Sequence, residues 1–341
     1  MRILVTGGAG FIGSHLVRRL VLQGAHDVVN FDALTYAGNL ANVKDLEGLT
    51  RYNFVRGDIV DRPLVAKVLD QYRIDGIINC AAETHVDRSV LDPENFARTN
   101  VVGTGVLLEE ARRAGIKRFL QVSTDEVYGT VENGLSREED KLEPCNPYSA
   151  TKAGGDLLAL GYWKTHRLPV MVTRGSNTYG PNEYPEKLIP LFVTNAIDDL
   201  PLPLYGDGHQ RRNWLAVQDH CAGIEHVFLS GEPGHAYNIA ADEERENIEV
   251  ARHLLACLGK PKSLIRHVED RPGHDRRYAT DCRKLKWLGW EPSISFEQGL
   301  KEAVEWYVRN ESWWRAIKSG EFKAYYEAQY GGRIERSTTC E

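Results

Sequence analysis

Tyr148 and Lys152 stand four residues apart in Tyr148-Ser149-Ala150-Thr151-Lys152, a spacing that puts both on one face of a helix. A free phenol titrates near ~10 and is a poor base at neutral pH. A nearby ammonium, aided by a nicotinamide cation, favours the phenolate and brings that value down. The pair therefore suits removal of a hydride from an alcohol carbon. A second segment, Ser123-Thr124-Asp125-Glu126-Val127-Tyr128-Gly129, adds two adjacent carboxyls. Like charges held together push one pKa upward, which supplies an acid beside a base. A simple alcohol dehydrogenase or epimerase has no evident use for that acid–base pair. An enzyme that oxidises a sugar and then expels water from it needs both segments.

The elements that must hold these groups alternate along the first half. Short apolar strands are expected at residues 2–6, 27–31, 52–55, 76–79, 118–123 and 168–174, with helices at 11–23 and 61–72. Asp92-Pro93 reads as an N-cap with proline at the first helical position, opening a helix to about Ala114. Asn146-Pro147 opens the helix of the Tyr/Lys pair. Alternation with near-continuous apolar strands means an α/β fold with a Rossmann-type, doubly wound parallel sheet covered on both faces. Residues 1–175 are expected to form the dinucleotide-binding domain, with segments around 212–240 returning to it. Prolines and glycines become frequent beyond Gly175. Helices are expected at 185–197, 219–229, 248–258 and 296–309, in a smaller mixed α/β substrate-binding domain over 176–331. Residues 332–341 read as a polar, poorly ordered tail.

In open parallel sheets, ligands bind beyond the carboxyl ends of the strands. Thr6-Gly7-Gly8-Ala9-Gly10-Phe11-Ile12-Gly13 lies between strand one and helix one. Gly7, Gly10 and Gly13 have GxxGxxG spacing, a dinucleotide fingerprint that permits a tight turn and close approach to a pyrophosphate. Free N–H groups at the helix N-terminus, at Phe11 and Ile12, then face the anion. Asp32 ends strand two, where a carboxylate accepts ribose hydroxyls and repels a 2′-phosphate, favouring NAD over NADP. Asp58, with Ile59 beside it, is placed to meet the adenine amino group.

Bulk properties agree with an enzyme of small molecules. At 341 residues the chain fills one large domain or two closely joined ones, and 42% apolar with 26% charged content is ordinary for that class. A net charge of −6 argues against a nucleic-acid surface. Cys80, Cys145, Cys221, Cys257, Cys282 and Cys340 show no CxxC spacing, so neither a metal site nor a disulfide framework is expected, and a reducing cytoplasm is. No signal-peptide pattern follows Met1 and no apolar run approaches a membrane span.

The glycine segment, Ser123-Thr124 and Tyr148-x-x-x-Lys152 resemble the extended short-chain dehydrogenase/reductase superfamily. Within it, the Thr-Asp-Glu triplet, Ala82-Glu83-Thr84-His85-Val86-Asp87-Arg88-Ser89, Pro185-Glu186-Lys187-Leu188-Ile189-Pro190 and Arg271-Pro272-Gly273-His274-Asp275-Arg276-Arg277-Tyr278 resemble the dTDP-glucose 4,6-dehydratase family. So does Asp32-Ala33-Leu34-Thr35-Tyr36-Ala37-Gly38-Asn39. The resemblance implies a three-step cycle. Tyr148 takes the C4 hydroxyl proton while hydride passes to NAD, with Thr124 bonded to the C4 oxygen. Glu126 then removes the C5 proton and a protonated Asp125 releases the C6 hydroxyl as water. Hydride finally returns to C6. The resemblance also implies a homodimer through the helices near 94–114 and 147–166.

A nucleotide sugar brings a diphosphate, for which Arg212, Arg271 and His274 are the candidates. The resemblance places Asn177, Glu186, Lys187 and Leu188 at the nucleotide–sugar site, and Tyr205 and Asn247 near the nucleotide. His85 and Ser89, after strand four, would approach the glucosyl group. Other readings stay open: His85 as a satisfied buried histidine, Lys187 as a helix flank, Arg276 and Arg277 as ion-paired. Asn213 after Arg212, where the family usually has Asp, and Asn182-Glu183-Tyr184 depart from the pattern and bear on base and sugar preference. The alternatives are a nucleotide-sugar 4-epimerase, a dehydratase of another nucleotide sugar, and a non-catalytic dinucleotide sensor.

Overall fold

The computed structural model describes residues 1–339. In chain order it builds β1 (Arg2–Thr6), α1 (Phe11–Leu22), β2 (Asp27–Asp32), β3 (Tyr52–Arg56), α2 (Arg62–Gln71) and β4 (Gly76–Asn79). There follow α3 (Val86–Leu91), α4 (Pro93–Ala97), α5 (Thr104–Arg113), β5 (Arg118–Thr124), α6 (Pro147–His166), β6 (Val170–Gly175) and β7 (Asn177–Tyr179). Then come α7 (Leu188–Ile197), β8 (Leu202–Tyr205), β9 (Arg211–Ala216), α8 (Val217–Ser230), β10 (Ala236–Ile239), β11 (Glu244–Glu246), α9 (Asn247–Leu258) and β12 (Ile265–Val268). The chain ends with α10 (Arg283–Trp287), α11 (Phe296–Arg309), α12 (Glu311–Lys318), α13 (Glu321–Tyr326), α14 (Gly332–Glu335) and β13 (Thr338–Thr339).

Among the described residues, seven strands form one sheet in the order β10-β6-β5-β4-β1-β2-β3, all pairs parallel. Successive side chains leave a strand on opposite faces, so β1 sends Ile3 and Val5 to one core and Leu4 to the other. Ile3 and Val5 meet Leu16 and Leu20 of α1 and Ile224 and Phe228 of α8. Leu4 meets Val65 of α2, Leu107 of α5 and Ala159 of α6. Strand order reverses between β1 and β4, which opens the crevice where such sheets bind ligands. A third core, around Phe192, Leu254 and Leu300, joins α7, α9 and α11 to two three-stranded sheets.

The helix expected from Asp92 to Ala114 is interrupted. A π turn over Arg98–Gly103 separates α4 from α5. It presents the Asn100 amide to the Glu83 backbone, accepting from its N–H at 2.9 Å and donating to its C=O at 3.0 Å. The helix expected from residue 185 starts at Leu188, because the Glu186 N–H turns back to the Tyr184 carbonyl. The helix from Asn146 forms as expected, through a capping box with Ser149 and proline in the first turn. The expectation of a disordered tail fails for 332–339. Ile334 packs on the third core, and Thr338 and Thr339 pair with His267 and Arg266. Cys340 and Glu341 lie outside the described residues.

Candidate active site

The turn after β1 is shaped by what it cannot contain. Gly7 has φ +68° and a Cβ there would lie 2.8 Å from Ala81 Cα; a Cβ on Gly13 would strike the Gly7 carbonyl. Strand, turn and helix therefore pack with backbone against backbone, leaving a cradle that a side chain would fill. Asp32 stands at its rim. Its Oδ2 accepts the Ala9 N–H at 2.9 Å and its Oδ1 the Leu34 N–H at 2.7 Å. Burial raises its pKa, and those two N–H groups oppose the rise.

This cradle is one end of a cleft of about 300 Å³. Gly7, Gly10, Phe11, Ile12, Gly13, Asp32, Asp58 and Ile59 line that end, and Thr124, Asp125, Glu126 and Tyr148 line the other. Asp58 also faces Arg98 at 3.3 Å. A second cavity of about 130 Å³ adjoins, with Glu126, Asn177, Thr178, Glu183, Glu186 and Lys187 bordering both.

The acid pair sits where β5 gives way to a 3₁₀ turn, Asp125–Tyr128. Thr124 Oγ1 caps that turn, accepting from the Glu126 N–H at 3.3 Å. Asp125 is buried and its Oδ2 has no hydrogen-bond partner. Burial, then the charge of Glu126, push its pKa up to about 8, with Arg212 opposing. Its protonated form is thereby favoured far above the usual carboxylate range. Glu126 Oε2 accepts from the Tyr278 hydroxyl at 3.3 Å.

Tyr148 and Lys152 share a face of α6. Burial, then the Glu126 charge, raise Tyr148 well above 10. Lys152 points its Nζ at the Val122 carbonyl, 2.7 Å away, and its pKa is lowered by burial. Enclosure and the neighbouring acids oppose the phenolate, and a Thr124 hydrogen bond favours it.

His85, Asn177, Glu186, Lys187, Leu188, Tyr205, Arg212, Asn247, Arg271 and His274 all line the second cavity. Ser89 does not; it is buried and spends its hydroxyl on the Val86 carbonyl at 2.6 Å, within α3. Arg271 donates to Asp87 Oδ1 at 3.1 Å and leaves Nε without a partner. Burial works against its charge, but Asp87 and Glu126 outweigh that and raise its pKa. Arg212 is held by the Asp275 carbonyl at 2.8 Å and lies 4.1 Å over the Tyr278 ring. Burial, then Arg271, hold His274 down to about 4. Its Nδ1 lies 2.6 Å from Asp270 Oδ1. Asn177 Oδ1 and Asn247 Oδ1 are buried without partners.

His85 is both a buried histidine, with Nε2 3.2 Å from the Glu186 carbonyl, and a wall residue. Lys187 does more than flank α7: its Nζ donates to the Thr84 carbonyl at 2.6 Å. Arg276 and Arg277 are ion-paired, with Asp207 and Glu244. Asn213 donates to the Ala241 and Glu243 carbonyls, away from Arg212. Sequence reasoning missed Asp87, Trp214 and Tyr330 in the second cavity, and Glu183 between the two. Glu183 is pushed up to about 8 by burial, with Oε2 unpartnered. Its signal was available, in the departure at Asn182-Glu183-Tyr184; Tyr330 had none.

The family model for GDP-mannose 4,6 dehydratase matches residues 4–303. A dTDP-glucose 4,6-dehydratase from Streptomyces niveus is 50% identical over 325 residues, covering 94% of this chain and 96% of that protein. The crystal structure of DesIV, a dTDP-glucose 4,6-dehydratase from Streptomyces venezuelae with NAD and TYD bound, superposes with TM-score 0.91 at 48% identity, covering 93% of this chain and 100% of that one. UDP-glucose 4-epimerase from Thermus thermophilus, in complex with NAD, is more distant, at TM-score 0.85 and 30% identity over 91% of this chain and 100% of that one. Coverage of nearly the whole length at about half identity goes beyond a shared fold: the chain belongs to the dTDP-glucose 4,6-dehydratase family.

Proposed function

We propose that this protein converts dTDP-glucose to dTDP-4-keto-6-deoxyglucose and water, with NAD as resident cofactor. The observation that carries the reading is Asp125, a buried acid whose Oδ2 has no partner, beside Glu126 in the cleft that Tyr148 also lines. The cradle at Gly7 and Gly13 fits a pyrophosphate because no Cβ occupies it, and Asp32, Asp58 and Ile59 would hold the adenosine half. When bound, NAD supplies a two-electron acceptor that returns the hydride it takes.

The chain's own groups do the proton work. With the cationic nicotinamide beside it, Tyr148 would be favoured as the phenolate that receives the C4 hydroxyl proton, and Thr124 would donate to the C4 oxygen. The new ketone acidifies C5–H, which Glu126 removes. Asp125 gives its proton to the departing C6 hydroxyl, and Glu126 finally returns a proton to C5. Lys152 contributes charge to this region. Arg212 and Arg271 would hold the diphosphate, with His274 beside them, and His85, Asn177, Glu186, Lys187 and Leu188 would wall the hexose. Tyr205 and Asn247 would meet the nucleotide.

Residues 1–175 together with β10 form the cofactor half on this reading, and most of 176–331 the substrate half. A homodimer is supported by apolar side chains left exposed on the helical face, Val102 at 57% and Leu157 at 61%. Among the described residues no helix is long and apolar enough to cross a membrane. The free thiols of Cys80, Cys221 and Cys282 suit a reducing cytoplasm. The test of function is dTDP-glucose deuterated at C4: the label is expected at C6 of a 4-keto-6-deoxy sugar. Label retained at C4 with inversion would mean epimerisation, and no turnover of any nucleotide sugar would mean a sensor.

A further inference from the structure

Behind the cleft runs a buried chain of polar contacts that the proton transfers above do not use. Asp156 lies one helical turn beyond Lys152 on α6, as Lys152 lies one turn beyond Tyr148. Its side chain is 0% exposed and that of Arg174, on β6, 3%; Arg174 Nε donates to Asp156 Oδ2 at 3.0 Å. The same guanidinium reaches the other way. Its Nη1 donates to the Tyr128 hydroxyl at 2.8 Å and to the Glu138 carbonyl at 3.1 Å. Tyr128 in turn donates to Asn238 Oδ1 at 2.8 Å, on β10. Asn238 is fixed by its own amide, which donates to the Ser136 and Asp281 carbonyls. Tyr128 closes the 3₁₀ turn that begins with Asp125 and Glu126.

A buried ion pair is weak evidence for stability, since desolvation consumes most of the attraction; its best-attested use is to specify a geometry. Here the two ends of the pair's contacts are informative. One arm ends on the turn that carries both acids. The other ends on the helix that carries the phenol and the ammonium. Asp156 is also the leading influence that favours the charge of Lys152 against burial.

We propose that Arg174 is a positioning residue that sets the acid turn against α6, through Tyr128 on one side and Asp156 on the other. The Tyr128 arm governs water elimination, and the Asp156 arm governs C4 oxidation, by placing and balancing Lys152. This rests on the dehydratase reading.

The experiment is single turnover of holoenzyme with dTDP-glucose, following reduced-nicotinamide absorbance and loss of C5 hydrogen in D2O. Tyr128→Phe deletes one hydroxyl and leaves the Arg174–Asp156 pair intact. Elimination should slow roughly 10- to 100-fold, the cost of a small misplacement of reacting groups. Oxidation should persist, so the reduced cofactor accumulates, with KM within about 2-fold of wild type because no ground-state contact to substrate is removed. Asp156→Asn should do the reverse, slowing oxidation with no accumulation. If Asp156→Asn fails to fold, Tyr128→Phe decides alone. Wild-type elimination in Tyr128→Phe, or equal slowing of both steps, would overturn the proposal. If wild-type protein itself leaves dTDP-glucose untouched, the dehydratase reading falls and the clamp with it. If wild type turns over and the variants keep its partition, only the clamp falls.

Discussion

The cradle end of the cleft and the second cavity beyond its acid end are built on different principles. The cofactor end is backbone: a turn that tolerates no Cβ at Gly7 or Gly13, with its aspartate tied to N–H groups at Ala9 and Leu34. The nucleotide end is side chains drawn together from distant segments. Arg271 meets Asp87 across 184 residues, Tyr205 meets Asp87 across 118, and Arg88 meets Glu186 across 98. On the proposed reading, shape would recognise the first ligand and charge the second. A substitution that adds volume should therefore harm one end, and one that removes charge should harm the other. The acid pair stands between them, where neither kind of recognition suffices and proton transfer is added.

The largest effects are expected at that junction. Glu126→Gln and Asp125→Asn should each lower formation of the 4-keto-6-deoxy sugar by about 10³-fold, the scale of a lost general acid or base. Bound NAD, measured by absorbance after gel filtration, should be unchanged. Turnover within a few-fold of wild type in both variants would remove the acids from the mechanism.

The next effect tests the cofactor end. Gly13→Ala places a methyl group on the Gly7 carbonyl, whereas a Cβ on Gly10 comes only to 3.3 Å from the same oxygen. Gly13→Ala should lose about 10²-fold in activity through displaced cofactor, with NAD content falling in parallel, and Gly10→Ala should lose less. If the order inverts, the cradle is not shaped by that carbonyl. The nucleotide end should answer differently. Arg271→Met removes a buried charge and strands Asp87, so KM should rise about 10-fold or more through a lost charge-assisted contact. NAD retention should stay at the wild-type level. A variant that lost NAD and nucleotide together would erase the distinction between the ends.

That distinction also explains what could be read without coordinates. Gly7 to Gly13, Asp32, the Thr124–Asp125–Glu126 triplet and the Tyr148/Lys152 pair are each contiguous or one helical turn apart, and each lies at a strand end or helix start that local chemistry marks. The π turn at Arg98–Gly103 carried no such mark, because its cause is Asn100 reaching the Glu83 backbone across the fold. Ser89 sits inside a motif whose neighbours line the cavity, yet its hydroxyl closes on its own helix. Tyr330 reaches the second cavity through contacts distant in sequence, its ring set against Tyr205 at the wall. Spacing also reports the lysine one turn from Tyr148 but not the burial and the Glu126 charge that oppose the phenolate.

The smallest expected effect concerns stability, and it separates the junction from the cofactor rim. Burial and Glu126 raise Asp125 from 3.8 to about 8. Between those values the folded chain keeps a proton that the unfolded chain has released. The resulting contribution to stability is full below the unfolded value and is lost as pH climbs to the folded one. Asp125→Asn has no such proton, so its Tm should gain on wild type as pH rises across that window, and the gap should level off above it. For a chain of this size the full shift corresponds to about 8 °C. Asp32 is raised in the same direction by burial, but the Ala9 and Leu34 N–H groups favour its charged form, so Asp32→Asn should give a shallower slope. Equal slopes would mean that the two backbone donors do not offset desolvation at the rim. A gap that shrank with rising pH would mean that Asp125 is ionised in the fold, and so could not protonate a leaving hydroxyl.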